Sequence, residues 1–441
     1  MSSLKRISAG TGANLVNLVY LTALTGLTVP VLIHAWGVEQ YGIWVMLTAI
    51  PAYLTLSDFG FSTAATNDIA MHVARGARDE AVKVLHSVWA LNLMVAAVAI
   101  AILAMVLVGA VALNASASNP IVEYNGTILL LALYALASMA SRTVLGVFRA
   151  SGLYARGTLV YDTLQFVEGC ASLAVAWFGG GFAAAAATLL IGRLINVAAL
   201  AAMLKTSLPE LPLGIGSADG TTLKRLLKPA AASMAIPISL ALNMQGVALV
   251  VGAVVSPTAT AILSAARTVS RIAVQVISAV NRAMVPELSA ASARGDHGAQ
   301  KRIAKINTLM LTGFAAPAAL GFGLLGPWAI ELWTAGAIRP EPIVAGLLAL
   351  AMMLHCVWFF GTNLLSATNA HSRMTVGLLA SAGITIALAQ VFAHFWGLPG
   401  ACAAVVVGEA ICVGWYLFVG ARPSPVSSPA PVFGPVDDLD V

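Results

Sequence analysis

Apolar residues run along the 441-residue chain in stretches of about 20, broken by short polar, Gly or Pro turns. A helix of that length crosses the hydrocarbon core of a bilayer. Cutting at the Gly, Pro and charge clusters predicts an all-α integral membrane protein of twelve transmembrane helices. They cover residues 12–36, 42–70, 81–111, 126–150, 157–179, 181–204, 229–254, 258–289, 306–333, 341–369, 373–396 and 399–420. A shift of 219 residues lays "NDIAMHVARGARDEA" over "PELSAASARGDHGAQ". Asp68 then pairs with Glu287, and Ala74-Arg75-Gly76 with Ala293-Arg294-Gly295, at the exit of the second span of each half. Each half holds six spans, so the halves share one orientation and are related by an axis along the membrane normal. The predicted architecture is two six-helix bundles around a central cavity. The N-terminal lobe covers 1–204, a cytoplasmic linker 205–228 and the C-terminal lobe 229–420. A Pro/Ser-biased tail over 421–441 is expected to be disordered.

Composition excludes a soluble protein: 59% of residues are hydrophobic, 9% are charged and the mean hydropathy is +0.90. The net charge of +5 does not indicate a nucleic-acid partner, because the basic residues recur in short loops and form no block. Of 23 Lys and Arg, seventeen fall on the side of the termini, Arg339 alone on the other, and five inside spans. That asymmetry predicts both termini cytoplasmic, with a retained first span behind Lys5 and Arg6. Cys170, Cys356, Cys402 and Cys412 stand singly in apolar segments, and no metal-ligand spacing is present. All predicted outward loops are short, and no HExxH or P-loop pattern occurs, so a membrane glycosyltransferase or polymerase is disfavoured and no enzyme is expected.

Polar residues inside the spans sort onto faces. At 100° per residue, Ser264, Arg267, Arg271, Gln275, Ser278 and Arg282 of the eighth span fall within an arc of about 80°. The arginines form a column about 22 Å long. Each arginine at the bilayer centre costs about 2.5–3.5 kcal/mol, so the column needs water, acidic partners or an anionic ligand. Matching stripes are Asn14, Asn17, Thr25 and Thr28 in the first span; Thr48, Thr55, Asp58, Ser62 and Thr66 in the second; Ser138, Arg142 and Arg149 in the fourth; and Thr158, Asp162, Gln165 and Ser172 in the fifth. Together they predict a hydrated, cationic interior. Other readings stand beside this one. Glu168 and Arg193 lie at matching depth for an ion pair; Arg149 and Arg282 are near enough to the cytoplasmic ends to snorkel. Asp58 and Asp162 can cap or pair, Glu409 can be a protonated structural carboxyl, and His34, His355 and His394 read as packing or interfacial residues.

The stretch "VEQYGIWVMLTAIPAYLTLSDFGFSTAATNDIA", with Ser57-Asp58-Phe59-Gly60 near its middle, resembles the polysaccharide exporters of the multidrug/oligosaccharidyl-lipid/polysaccharide (MOP, MATE-like) flippase superfamily, particularly the O-antigen flippase branch. "VVGAVVSPTATAILSAARTVSRIAVQVISAVNRAMVPELSAASARGD" is similar to that branch's seventh-to-eighth span region. The resemblance covers essentially the whole chain in topology. It implies a multi-pass protein of the bacterial inner membrane that flips undecaprenyl-diphosphate-linked oligosaccharides outward by alternating access, in lipopolysaccharide or exopolysaccharide synthesis. The drive would be a proton or sodium gradient, with no other cofactor. Arg142, Arg193, Arg267, Arg271 and Arg282 would bind the diphosphate and acidic sugars, guanidinium matching phosphate oxygens with paired hydrogen bonds; Gln275, Asn14 and Asn17 would line the same surface. Asp58, Asp162 and Glu168 would couple or gate. Expected partners are the lipid-linked oligosaccharide, membrane lipid and polysaccharide assembly proteins, and a monomer is expected. One departure concerns the seventh span, where "NMQGVALVVG" has Asn243, Gln245 and Ala248 while the family often carries an Asp before this stretch. The rivals are a multidrug or small-molecule cation antiporter of the same fold and a transport-dead assembly scaffold.

Overall fold

The structure is a computed structural model and describes residues 3–58, 60–112, 123–293, 297–367 and 372–420. The first span is Ser3–Trp36. The second is broken: Val38–Leu47 and Ala49–Leu54 lead through a 3-10 turn, Thr55–Asp58, into Phe61–Ala74. Arg78–Ala112, Asn125–Ala150, Tyr154–Trp177 and Phe182–Ser207 are the third to sixth. The seventh joins Gly220–Ala241 to Val247–Val254 through a π turn at Leu242–Gly246. The eighth is Pro257–Ala293; the ninth joins His297–Met310 to Ala316–Trp333 through a second π turn; the tenth is Pro342–Ala367. Ser372–Gly420 is the last of the described helices.

Length and apolarity alone qualify nine helices as membrane-crossing among the described residues, or ten with the bent second element. Two features reconcile this with twelve crossings. Met374–Val419 counts as one apolar helix of 46 residues, about 69 Å if straight, twice what a bilayer needs. It breaks at Gly397, whose φ of 60° and ψ of −141° only glycine adopts readily, just ahead of Pro399. Tyr154–Trp177 has the length of a span and lacks only apolarity, because it carries Asp162, Gln165 and Glu168.

The repeat seen in three residues extends to the whole architecture. Shifted by 219, Val38–Ala74 falls on Pro257–Ala293 end to end, and the other spans of the first half land on their counterparts with small offsets. The helices of each half pack mainly on one another. The first lobe centres on Phe61, Ile69, Val84, Leu85, Val144, Phe148 and Leu200. Among its buried polar contacts, the Arg193 guanidinium donates to Glu168 and to Tyr134 Oη (3.0 Å), and both members of the ion pair are 1% exposed. Removing two charges from water is tolerable only when they satisfy each other, and the fifth and sixth spans are pinned here.

The predicted linker is shorter than the sequence suggests. The sixth span runs on to Ser207, and the seventh starts at Gly220 because Asp219 caps it, accepting from the amides of Thr221 (3.1 Å) and Thr222 (3.2 Å). Leu226 and Ala230 of that first stretch pack in the core of the N-terminal lobe, and Arg225 donates to Asp68 at 2.7 Å. The segment between is clamped by His86, whose Nδ1 accepts from the Ser217 amide (3.0 Å) while Nε2 faces the Pro212 carbonyl (3.1 Å). The tail, and Arg294, lie outside the described residues, as do the side chains of Glu287, Ser278 and Arg282.

At the face remote from the termini the lobes meet closely. A Cβ on Gly42 would stand 1.8 Å from the Pro257 carbonyl oxygen, so the second and eighth spans touch backbone to backbone only because residue 42 is glycine. Met46 packs against Gly252, Tyr41 Oη and Ser264 Oγ share a hydrogen bond of 3.0 Å, and Trp333 Nε1 donates to the Gly26 carbonyl at 3.0 Å. This seal sets the roof of the site.

Candidate functional site

Beneath the seal, a cavity of about 470 Å³ lies between the lobes. The first span contributes Leu21, Thr25, Thr28 and Val29; the second Tyr41, Trp44, Val45 and Thr48; the seventh Met244, Gln245 and Ala248; the eighth Leu263, Ser264, Arg267, Thr268, Arg271 and Gln275. The residues from the second span recur at helical spacing, 41, 44, 45 and 48, so one face of Val38–Leu47 and the turn after it forms a wall. Several wall hydroxyls donate to their own helices: Thr28 to the Leu24 carbonyl (2.7 Å), Thr48 to Val45 (2.9 Å) and Thr268 to Ser264 (2.8 Å).

Arg267 is the more deeply set of the two arginines lining the cavity, at 7% exposure. A π turn adds a residue to the hydrogen-bonded ring and so disturbs the normal pairing of helix carbonyls. The one at Leu242–Gly246 presents two of them to Arg267, whose Nη1 donates to Met244 O (3.1 Å) and lies 3.5 Å from Asn243 O. Its Nη2 is buried and has no hydrogen-bond partner among the described residues. Arg271, one turn on, is exposed to the cavity, and the two guanidinium groups repel each other. Neither has an ion pair among the described residues, and the cavity lining contains no carboxylate. A wall with two close positive charges and neutral donors attracts an anion with several acceptor oxygens and disfavours a cation.

The other predicted site residues fall in different places. Gln275 lines the cavity, directly below Arg271. Asn14 and Asn17 continue the polar face of the first span toward the terminal end: Asn14 accepts from Tyr154 Oη at 3.0 Å, and Asn17 bonds Asp162. Asp162 also feels Arg149, which stacks over the Tyr154 ring at 5.3 Å. Arg142 is exposed and outside the cavity lining. Arg193, expected on the anion surface, is instead sequestered with Glu168 in the first lobe, so neither charge reaches the cavity. Asp58 is buried at the break of the second span, where Oδ1 accepts from the Gly60 amide at 2.8 Å, a turn contact. That break also ends the polar stripe drawn through the second span: Thr48 faces the cavity, while Ser62 bonds Thr143 at 3.1 Å inside the lobe. The sequence reading missed Tyr41 and Trp44, whose spacing was visible, and the π-turn carbonyls, which leave no such trace.

A family model described as polysaccharide biosynthesis protein matches residues 36–336. No curated protein matches the chain by sequence. Among solved structures, the chain is similar to an inward-facing multidrug resistance MATE family transporter of the MOP superfamily. That match has 14% identity, covers 92% of this chain and 94% of that one, and reaches a TM-score of 0.72. An outward-facing structure of the same description scores 0.57 at 15% identity, over 94% and 92% of the two chains. A MOP superfamily transporter from Pyrococcus furiosus, described by the reverse polarity of its binding pocket, scores 0.55 at 13% identity over the same shares. At these identities the likeness shows the fold: the two-lobe architecture of the MATE transporters.

Proposed function

Because the chain belongs to the polysaccharide biosynthesis protein family, we propose that it is a flippase for polyprenyl-diphosphate-linked oligosaccharides, carrying the headgroup from the cytoplasmic to the outer leaflet by alternating access. The observation that carries this reading is the pairing of Arg267 and Arg271, neither in an ion pair among the described residues, in a cavity between two lobes. A diphosphate brings at least two negative charges, which offset both guanidinium groups and relieve their mutual repulsion. Arg267 holds its position through the Met244 and Asn243 carbonyls and keeps Nη2 for the ligand. Thr25, Thr28, Thr48 and the two glutamines offer neutral polar contacts to the first sugar. A volume of about 470 Å³ suits a headgroup and not a whole glycan with its lipid, so the rest extends outside the cavity.

A cation antiporter of the same fold fits less well, since among the described residues the cavity presents no carboxylate to a cationic drug. Asp162, in its polar cluster with Asn17 and Arg149, is the coupling candidate best placed to change partners; Glu168 is held by Arg193 and Asp58 by Gly60. Replacing both Arg267 and Arg271 with Gln tests the reading in cells. Surface glycan should disappear while the protein still inserts in the membrane, and normal export would overturn the assignment.

A further inference from the structure

The cavity is charged at one end only. Arg267 and Arg271 stand ten and fourteen residues past Pro257, about 15 and 21 Å along the eighth span from the backbone contact with Gly42 that closes the roof. Trp44 stands two residues past Gly42, so its indole lines the roofward end. The residues lining the cavity with it there, Thr28, Val29, Val45 and Leu263, are uncharged.

Three other indoles within the fold spend their N–H on the protein. Trp36 donates to the Gly180 carbonyl at 2.9 Å, Trp333 to the Gly26 carbonyl at 3.0 Å and Trp358 to the Glu409 carboxylate at 2.6 Å. Trp44 is only 7% exposed, yet its Nε1 has no hydrogen-bond partner among the described residues and is not closed off by the protein. Trp36 meets the Trp44 ring edge-on at 5.3 Å and Phe182 lies tilted against it at 5.7 Å, so the indole is held in place from the lobe side. A donor this deep in a membrane protein is costly without an acceptor, and the one direction left to it is the cavity. Thr28 and Thr48 give their protons to Leu24 and Val45, so toward the cavity their oxygens accept. One fixed donor, two acceptors and the apolar surface of Val29, Val45 and Leu263 complement an uncharged sugar ring, with hydroxyls at its rim and C–H groups on its faces.

We propose that Trp44 recognises the first sugar of the cargo. The sugar is uncharged and sits between the roof and the arginines; Trp44 Nε1 donates to one of its hydroxyl or acylamino oxygens, and Thr28 and Thr48 accept from its hydroxyls. The proposal rests on the flippase reading of the cavity and gives the cargo a direction, sugar toward the sealed face and diphosphate on Arg267 and Arg271. A site that read the diphosphate alone would also take the bare lipid carrier, and Trp44 supplies the contact that tells the two apart.

The test is calorimetric titration of the purified full chain in lipid nanodiscs with three probes: farnesyl diphosphate, and farnesyl diphosphate carrying glucose or N-acetylglucosamine on its terminal phosphate. Trp44→Phe keeps a ring against Trp36 and Phe182 and removes only the N–H donor. It should bind at least one sugar-bearing probe about three- to tenfold more weakly than the parent chain, the effect of one neutral hydrogen bond, and the loss should not extend to farnesyl diphosphate. Thr28→Val, which keeps the shape of the side chain, should show the same selective loss and decides the matter if Trp44→Phe does not fold. An unchanged affinity for both sugar-bearing probes, or an equal loss for all three, would overturn the sugar site. Arg267→Gln separates this proposal from the reading beneath it. Weaker binding of all three probes there, beside an indifferent Trp44→Phe, keeps the cavity assignment and removes the sugar site alone; undiminished binding removes both.

Discussion

Replacing Arg267 with Gln removes one charge from the cavity wall while keeping a side chain able to donate to the Met244 carbonyl. Arg267 already bonds the π turn through Nη1, so the ligand is left with Nη2. A hydrogen bond between a charged donor and an anionic oxygen contributes about 1.5–3 kcal/mol net. Taking about 2–3 kcal/mol for a buried guanidinium, affinity for a polyprenyl diphosphate should fall about 30- to 150-fold. Arg267→Lys should lose less, because the charge stays and the paired geometry goes. The ligand-free protein should behave in the opposite sense: a buried charge without a counter-ion, repelled by Arg271, is a cost, so Arg267→Gln should melt no earlier than the parent chain. Titration with a polyprenyl diphosphate and thermal unfolding in the same detergent measure both quantities. Affinity within about twofold of the parent together with a lower melting temperature would refute the reasoning; it would mean that Arg267 serves the π turn and not the ligand.

Three further outcomes follow from the geometry. Gly42→Val places a methyl-bearing carbon where the Pro257 carbonyl stands, 1.8 Å from its oxygen, so the seal at the face remote from the termini should open; a membrane-impermeant thiol reagent added to that face should then label Thr48→Cys in that background and not with Gly42 present. Glu168→Gln leaves Arg193 buried without its counter-charge and should destabilise the first lobe by about 3–5 kcal/mol, read as a lower melting temperature, while adding Arg193→Met should restore most of it. The Asp219 carboxyl is held down to about 2 from 3.8, first by the side-chain hydrogen bond from Thr221, then by its amide, and then by Thr222. Its folded-state value is depressed, so its support for the start of the seventh span is complete above the unfolded value near 3.8 and is lost as pH falls through about 2; Asp219→Ala should speed amide exchange at Gly220–Leu223 at neutral pH, and Asp219→Asn should not.

The parts of this molecule that one helix determines were legible in its sequence. Arg267, Arg271 and Gln275 share a face because helical rotation alone puts them there, and they line one cavity. The repeat also follows from spacing along the chain, which is why a match of Asp68 to Glu287 and one Ala-Arg-Gly triplet foretold six pairs of spans. What needed the structure is whatever depends on a second helix. Arg193 and Arg267 are both arginines inside apolar spans; a neighbouring carboxylate neutralises the first, and backbone carbonyls hold the second. Asp58 read as a lone intramembrane acid, yet a local turn to Gly60 accounts for its nearest bond. His355 and Glu409, 54 residues apart and set down as a packing or interfacial residue and a structural carboxyl, meet only because the tenth and last spans are neighbours.

Movement of a labelled polyprenyl-diphosphate oligosaccharide between leaflets, followed in liposomes by quenching from outside, tests the central claim directly. The purified chain should accelerate that movement, and the chain with both Arg267→Gln and Arg271→Gln should not. No acceleration by the unaltered protein, or equal acceleration by the doubly substituted one, would contradict a flippase working through this cavity.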